Sequence, residues 1–230
     1  MTRIFRYLPL LALFVCSIQL ASAQSTFDFA MGFGAAQDKA GTSGFDGLTL
    51  SDCNSTTVYC AKTNSLSGFT MGFGGNLMLW KHFGLGANVN FQPAKETYAA
   101  VPAITYEGQQ YPSYNVQSRV TLYSFDGTFQ PVSSKKAALQ VIGGVGGANT
   151  KFYVAQSSSS TALGNINSSQ YFNSANHFQV HGGVAVQYYI SGNFFIRPEF
   201  DFHYIPNFTQ FGSNIVTSES VWIGYSFGNR

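Results

Sequence analysis

The charged side chains that could do chemistry are few, and three of them recur at a spacing of two: Arg197, Glu199 and Asp201. In a β-strand this spacing places all three on one face, with successive side chains roughly 7 Å apart. Three further polar residues occupy the same phase of other alternating stretches: Asp28, Asp126 and Gln187. An unpaired buried charge is expensive, so we expect a salt-bridged polar network that fills an interior. An ion gate built from the same pairs and catalysis by the carboxylates are the alternatives.

Two histidines share this inward phase. A three-residue turn at 191–193 would pair Ile190 with Phe194, and the same register then sets His181 opposite His203. Two imidazoles beside Asp201 could bind a metal ion, because imidazole and carboxylate groups both coordinate zinc. Packing and hydrogen bonding within the pair is the alternative. The latter is our expectation, so the sequence predicts neither a resident metal nor a cofactor.

The elements that position these residues are stretches in which apolar residues alternate with small or polar ones. Alternation at a period of two is the signature of a β-strand. Eight stretches show it: 27–34, 69–79, 83–91, 123–129, 139–147, 178–190, 194–204 and 221–227. The sequence therefore predicts an all-β fold.

Composition indicates which face of these strands is the inside. Only 10% of the 230 residues are charged, against roughly 25% in ordinary soluble domains. The apolar face of the alternating stretches carries no charge, and the other face is mostly Gly, Ala, Ser, Asn and Gln. A lipid-facing band excludes charge, and a narrow barrel interior needs small residues beside a few large polar ones. Nucleic-acid binding is excluded, since it would need a basic stripe.

The connections between the stretches alternate in length. The long ones, 35–66, 92–113, 149–176 and 206–218, are rich in Ser, Asn, Thr and Gly, and the short ones are 80–82, 130–138 and 191–193. This is the pattern of an up-and-down barrel. Unpaired backbone groups in lipid cost several kcal/mol each, so the sheet must close. We predict an eight-stranded antiparallel transmembrane β-barrel over residues 24–230, with both termini on the periplasmic side and the long loops outside.

Residues 1–23 read as a secretory signal peptide, with Arg3 and Arg6, an apolar stretch over 8–15 and the cleavage site Ala21-Ser22-Ala23. A membrane anchor is the alternative, but the stretch is shorter than the roughly 20 residues of a spanning helix. Export leads to an oxidising compartment, where we expect Cys53 and Cys60 to form a disulfide. A metal site is the alternative for these thiols, which lack a second Cys or His pair.

The signal peptide, the eight strands and the aromatic-rich final strand at 221–227 resemble the small bacterial outer-membrane barrels of the OmpA transmembrane-domain and OmpX type. Members of that family typically end on the terminal aromatic residue, whereas Gly228-Asn229-Arg230 follow Phe227 here. The resemblance implies a monomer in the bacterial outer membrane, inserted by the barrel assembly machinery and in contact with outer-membrane lipids and lipopolysaccharide.

A non-enzymatic structural or surface-interaction role, with a narrow pore as one form of it, is the function we expect. One alternative is a lipid A-modifying enzyme, because such enzymes also occur on these barrels. The other is a soluble exported β-barrel that binds a small apolar ligand.

Overall fold

The computed structural model describes residues 26–37, 61–62, 68–101, 104–106, 109–111, 114–160, 164–207 and 214–228. The predicted signal peptide at 1–23 and the two cysteines, Cys53 and Cys60, lie outside the described residues. Within the described part of the chain, no helix has the length and apolarity to cross a membrane.

The described residues form twelve β-strands, all joined by antiparallel pairings. Their bounds are β1 Thr26–Gln37, β2 Ala61–Lys62, β3 Gly68–Met78, β4 Phe83–Phe91, β5 Glu96–Val101, β6 Ile104–Tyr106, β7 Gln109–Tyr111, β8 Tyr114–Ser133, β9 Ala137–Ser160, β10 Gly164–Ser191, β11 Phe194–Tyr204 and β12 Ile215–Phe227.

Eight of these strands close into a barrel. The hydrogen-bonded order β8-β4-β3-β1-β12-β11-β10-β9 returns to β8 through the β8–β9 pairing, and the first and last strands meet at the β1–β12 seam. The short strand β5 pairs with the loop-end part of β8, past the end of β4, and β2 pairs with β5; β6 and β7 form a separate hairpin. The predicted fold class, an eight-stranded antiparallel barrel, is confirmed.

The barrel strands are staggered. From Met31 the register leads through β3, β4 and β8 to Gly147 of β9. In the other direction it leads through β12, β11 and β10 to Ala137 of the same strand, ten residues away. A stagger of this kind accompanies strands tilted by about 35–45° from the barrel axis. Residues distant in sequence are thereby brought to one height inside the barrel.

The two faces of the strands are arranged as predicted. Apolar side chains of every barrel strand are exposed on the outer surface, among them Phe29, Phe73, Leu85, Phe125, Val145, Val184, Phe200 and Ile223. The inward face carries buried polar residues and glycines. A soluble barrel with an apolar ligand inside would need the opposite arrangement, so this alternative is wrong.

Glu219 of β12 departs from the apolar outer face. It has the outward phase of its strand and is exposed, with Ala35 of β1 and Phe200 of β11 as its cross-strand partners. The predicted loop ended at 218 and the predicted alternating stretch began at Val221, so neither included this carboxylate.

Short turns join the strands at one end of the barrel, which we call the turn end; the opposite end is the loop end. The turns over 79–82, 134–136 and 192–193 all lie at the turn end. At the loop end the bounds predicted for the connection over 149–176 are wrong, because β9 and β10 continue as a paired hairpin through Ser160 and Gly164. Alternation is lost there since neither face of a hairpin beyond the bilayer needs to be apolar.

One detail of the predicted turn between β10 and β11 is wrong, namely the residue that pairs with Phe194. Ser191, rather than Ile190, pairs with Phe194, and the register shifts between Tyr189 and Ser191. Gly192 has a φ of 55°, a left-handed conformation that glycine adopts without steric cost. On the loop-end side of the shift the predicted register is confirmed, and His181 faces His203.

Candidate lumen site

The lumen site is built from the inward faces of all eight barrel strands. In each strand every second side chain points inward. Because the barrel is closed, the inward side chains of all strands point toward the barrel axis. Small residues on intervening strands let the large polar ones meet. Gly144 of β9 is the cross-strand partner of both Asp126 and His181, and a Cβ at this position would collide with Asp126 Oδ1. Glycine therefore allows Asp126 and His181 to bond across β9.

A histidine cluster occupies the part of the lumen nearer the loop end. His181 Nδ1 lies 3.0 Å from Asp126 Oδ1, and its Nε2 lies 2.9 Å from Asp201 Oδ1. All three residues are buried. An ionised carboxylate only accepts hydrogen bonds, so between two ionised aspartates both ring nitrogens donate and the ring is an imidazolium. His181 thus places one positive charge between two carboxylates.

The outer bonds of the cluster hold the two carboxylates in place. Asp126 Oδ2 accepts from Asn88 Nδ2 at 2.7 Å and from Ser124 Oγ at 3.0 Å. Asp201 Oδ2 accepts from Ser218 Oγ at 3.4 Å. Carboxylates with several donors are stabilised in the charged form needed to pair with an imidazolium.

His203 stacks on His181, with ring centroids 4.7 Å apart and planes inclined by 15°. Its Nε2 lies 3.3 Å from Ser218 Oγ. His181, Asp201 and His203 offer ligand atoms that all lie within 4.8 Å of one another. Metal coordination needs a free lone pair on each imidazole, and both nitrogens of His181 already donate to aspartates. The geometry therefore favours a hydrogen-bonded cluster over a metal site.

Arg197 and Glu199 form an ion pair in the middle of the lumen. Arg197 Nε lies 3.0 Å from Glu199 Oε2, at an angle outside that of a hydrogen bond. The guanidinium carbon lies 5.2 Å from the ring centroid of Trp222, which is completely buried. With the amide of Asn76 turned so that its oxygen faces the guanidinium, that oxygen accepts from Nη1 at 2.8 Å. Arg197 thus joins charge pairing to a cation–π contact.

A third cluster lies nearer the turn end, around Asp28 of β1. Gln187 Nε2 donates to Asp28 Oδ2 at 3.0 Å, and Gln187 Oε1 accepts from Gln140 Nε2 at 2.5 Å. Ser226 Oγ donates to the other oxygen of Asp28, and Tyr189 Oη lies 3.3 Å from Ser226 Oγ. In these contacts the Asp28 carboxyl group is bonded by neutral side chains alone.

The structure places the six residues singled out for a polar network in the lumen, divided among these three clusters. It brings His181 to Asp126, which the sequence did not pair with it. Ser218 was missed, because it lies in the part of β12 that was assigned to a loop. The sequence did contain a signal for Ser218: it precedes Ser220 by two residues and Trp222 by four, which places it on the same inward face.

Comparisons with known proteins support the fold of this chain and nothing finer. No family model and no curated protein matches the chain. Among solved structures, it is similar to a major outer membrane protein of Thermus thermophilus, at 13% identity and a TM-score of 0.50, over 87% of this chain and 99% of that one. It also matches Ail, the attachment invasion locus protein of Yersinia pestis, at 13% identity and 0.45, over 87% and 99%. The N-terminal β-barrel domain of Pseudomonas aeruginosa OprF matches at 13% identity and 0.45, over 88% and 97%.

The closed barrel, its apolar outer surface and its polar interior together define a transmembrane β-barrel with the fold of the small bacterial outer-membrane barrels. The resemblance read from the final strand and the eight alternating stretches is confirmed at the level of the fold.

Proposed function

We propose that the protein is a non-enzymatic barrel of the bacterial outer membrane that presents its loop-end segments at the cell surface and keeps its lumen closed. The observation that carries the proposal is the occupation of the lumen at three heights by buried, mutually bonded polar side chains. His181, Arg197 and Gln187 each stand at the centre of one cluster, and each is at most 4% exposed.

The width of the barrel supports closure. Eight strands leave an interior just wide enough for side chains to fill. The completely buried indole of Trp222 adds a large side chain to this space, and the missing Cβ atoms of Gly32 and Gly72 make room for its ring. A continuous water-filled channel would have to pass both the indole and the ion pair beside it. We therefore propose a plugged barrel rather than an open pore.

One contact has the form of a hydrolase site, because Ser218 Oγ lies 3.3 Å from His203 Nε2. A serine nucleophile must reach a substrate carbonyl while its proton passes to the histidine. Here both residues are buried, and Ser218 Oγ also lies 3.4 Å from a carboxylate oxygen of Asp201. The contact thus supports a structural role for Ser218.

Planar-bilayer recording of the purified full chain tests closure. We expect the wild-type protein to show no large steady conductance. Arg197→Ala removes the positive charge beside Glu199, and we expect it to give small cation-selective openings. Lys136→Ala, a cation lost from the turn between β8 and β9, is the matched control and is expected to remain silent. Large steady wild-type conductance would contradict the plugged barrel.

A second experiment tests the non-enzymatic role. Lipid A from cells with and without the protein is compared by mass spectrometry, and we expect identical acylation and phosphorylation patterns. A protein-dependent change in lipid A would favour the enzyme instead. We also propose that the barrel is a monomer inserted by the barrel assembly machinery, which crosslinking of folded protein in bilayers would test.

A further inference from the structure

Three basic residues gather on the outer surface of the barrel toward the loop end, around β8 and β9. Arg119 has the outward phase of β8, as do Tyr123 and Phe125, and Lys151 is exposed on β9. Lys95 follows the end of β4, with its Nζ 4.1 Å from the ring centroid of Tyr153 on β9. We call these three residues the basic cluster.

The two strand residues of the basic cluster stand directly opposite each other. Arg119 and Lys151 are cross-strand partners in the β8–β9 register. Like charges at opposed positions of a sheet destabilise it. Among the described side chains, no carboxylate lies within ion-pair distance of Arg119 or Lys151. A pair of this kind is stabilised when an anion from outside the chain bridges it.

The arginine is held in place before any anion arrives. Arg119 Nε donates to the carbonyl oxygen of Gln92 at 3.1 Å, and Nη2 donates to the carbonyl oxygen of Pro93. Gln92 is in turn anchored to β8, because its side-chain oxygen accepts from the backbone N–H of Val120 at 3.0 Å. A guanidinium fixed in this way loses little conformational entropy on binding an anion.

The height of the basic cluster on the barrel matches a lipid headgroup. Toward the turn end, the same outer faces of β8 and β9 carry exposed apolar residues, beginning at Tyr123 and Val145. Asn149 and Thr121 are cross-strand partners between this apolar surface and the cations. The cations therefore lie just beyond the hydrocarbon, at the level where headgroup phosphates are found.

We propose that the basic cluster binds the phosphate groups of lipid A, the lipid anchor of lipopolysaccharide, in the outer leaflet. Arginine and lysine are the side chains that bind phosphate best, the first as a fork of donors and the second as a point charge. The apolar surface below the cluster packs against the acyl chains of the same molecule. The site rests on the proposed orientation, with the loop end at the cell surface, but it lies on the outer face and does not depend on whether the lumen conducts.

The test measures lipid A binding to the full chain, folded and purified in a nonionic detergent. Bisphosphorylated lipid A is titrated in mixed micelles and bound lipid is counted by native mass spectrometry. The other probes are lipid A with both phosphates removed, phosphatidylglycerol and inorganic phosphate. We expect retention of the bisphosphorylated form, and at least about tenfold weaker binding of the other three.

The variant Arg119→Gln/Lys151→Gln should weaken binding of bisphosphorylated lipid A by about thirtyfold, from the contribution of a basic residue near a membrane surface. Lys135→Gln/Lys136→Gln removes the same charge at the turn end and should bind as wild type does. Lys151→Gln alone, at an exposed position, should weaken binding of bisphosphorylated lipid A by about fivefold. This single variant replaces the double variant in the test if the latter does not fold.

Three outcomes would overturn the proposal. Wild-type affinity in both the double and the single variant would remove the cluster from the site. Equal binding of phosphatidylglycerol would show general attraction to anionic lipid, and equal binding of inorganic phosphate would show a soluble ligand. Conductance should be the same in these variants as in wild type, which separates this test from that of the closed lumen.

Discussion

At the scale of single residues, His181 holds two buried carboxylates together. We expect His181→Ala to lower the free energy of unfolding by about 3–5 kcal/mol, because it leaves Asp126 and Asp201 without their shared positive charge. The measurement is urea unfolding of the barrel in lipid vesicles. His177→Ala is the control, since His177 has the same phase on the same strand but is only partly buried. Equal losses in the two variants would contradict a central place for His181.

Gly144 and Gly143 are neighbours on β9, and only Gly144 lies where a side chain would collide with its surroundings. A Cβ at Gly144 would collide with Asp126 Oδ1 and with the carbonyl oxygen of Phe125, whereas at Gly143 the nearest atom would be 3.9 Å away. Overpacking of this kind costs about 1–3 kcal/mol, so we expect Gly144→Ala to destabilise the barrel by that amount. Gly143→Ala should change stability by less than about 1 kcal/mol. The same urea unfolding measurement decides, and the reverse order would mean that the two faces of β9 are misassigned.

At the scale of the element, β12 carries a carboxylate on its lipid-facing side. Glu219 stands beside Phe200, and a carboxylate in contact with hydrocarbon is unfavourable. We expect Glu219→Leu to raise the free energy of unfolding in bilayers by about 1 kcal/mol.

Glu199 is the matched comparison for Glu219, because it points to the lumen from the adjacent strand and pairs with Arg197. Glu199→Leu should lower the free energy of unfolding by about 3–5 kcal/mol, since it leaves a buried guanidinium without its carboxylate partner. A loss of stability in Glu219→Leu would show that the outer carboxylate has a partner in the membrane.

At the scale of the whole molecule, depth in the bilayer sets the cost of a charge. Val184 lies midway along the apolar outer face of β10, which runs from Phe178 to Ile190, whereas Val132 lies near the turn end of β8. We expect Val184→Arg to cost about 2–4 kcal/mol and Val132→Arg about 0–1 kcal/mol. Folding titrations in vesicles measure both, and equal costs would place the membrane elsewhere on the barrel.

The alternating pattern determined by itself which residues face the lumen. A side chain's face depends only on its phase within one strand, so Arg197, Glu199, Asp201, Asp28, Asp126 and Gln187 could all be assigned inward from local sequence. The pairing of His181 with His203 could also be predicted, because a short turn joins their two strands and limits the possible registers.

Only the tertiary structure decided which of these residues meet across the barrel. The bond between His181 and Asp126 depends on the registers of β8, β9 and β10 together, and on the lack of a side chain at Gly144. Likewise, Arg119 faces Lys151 only because β8 pairs with β9 beyond the apolar surface, where no alternation marks the strands. Alternation is a local consequence of the pleat, whereas stagger and closure are properties of all eight strands at once.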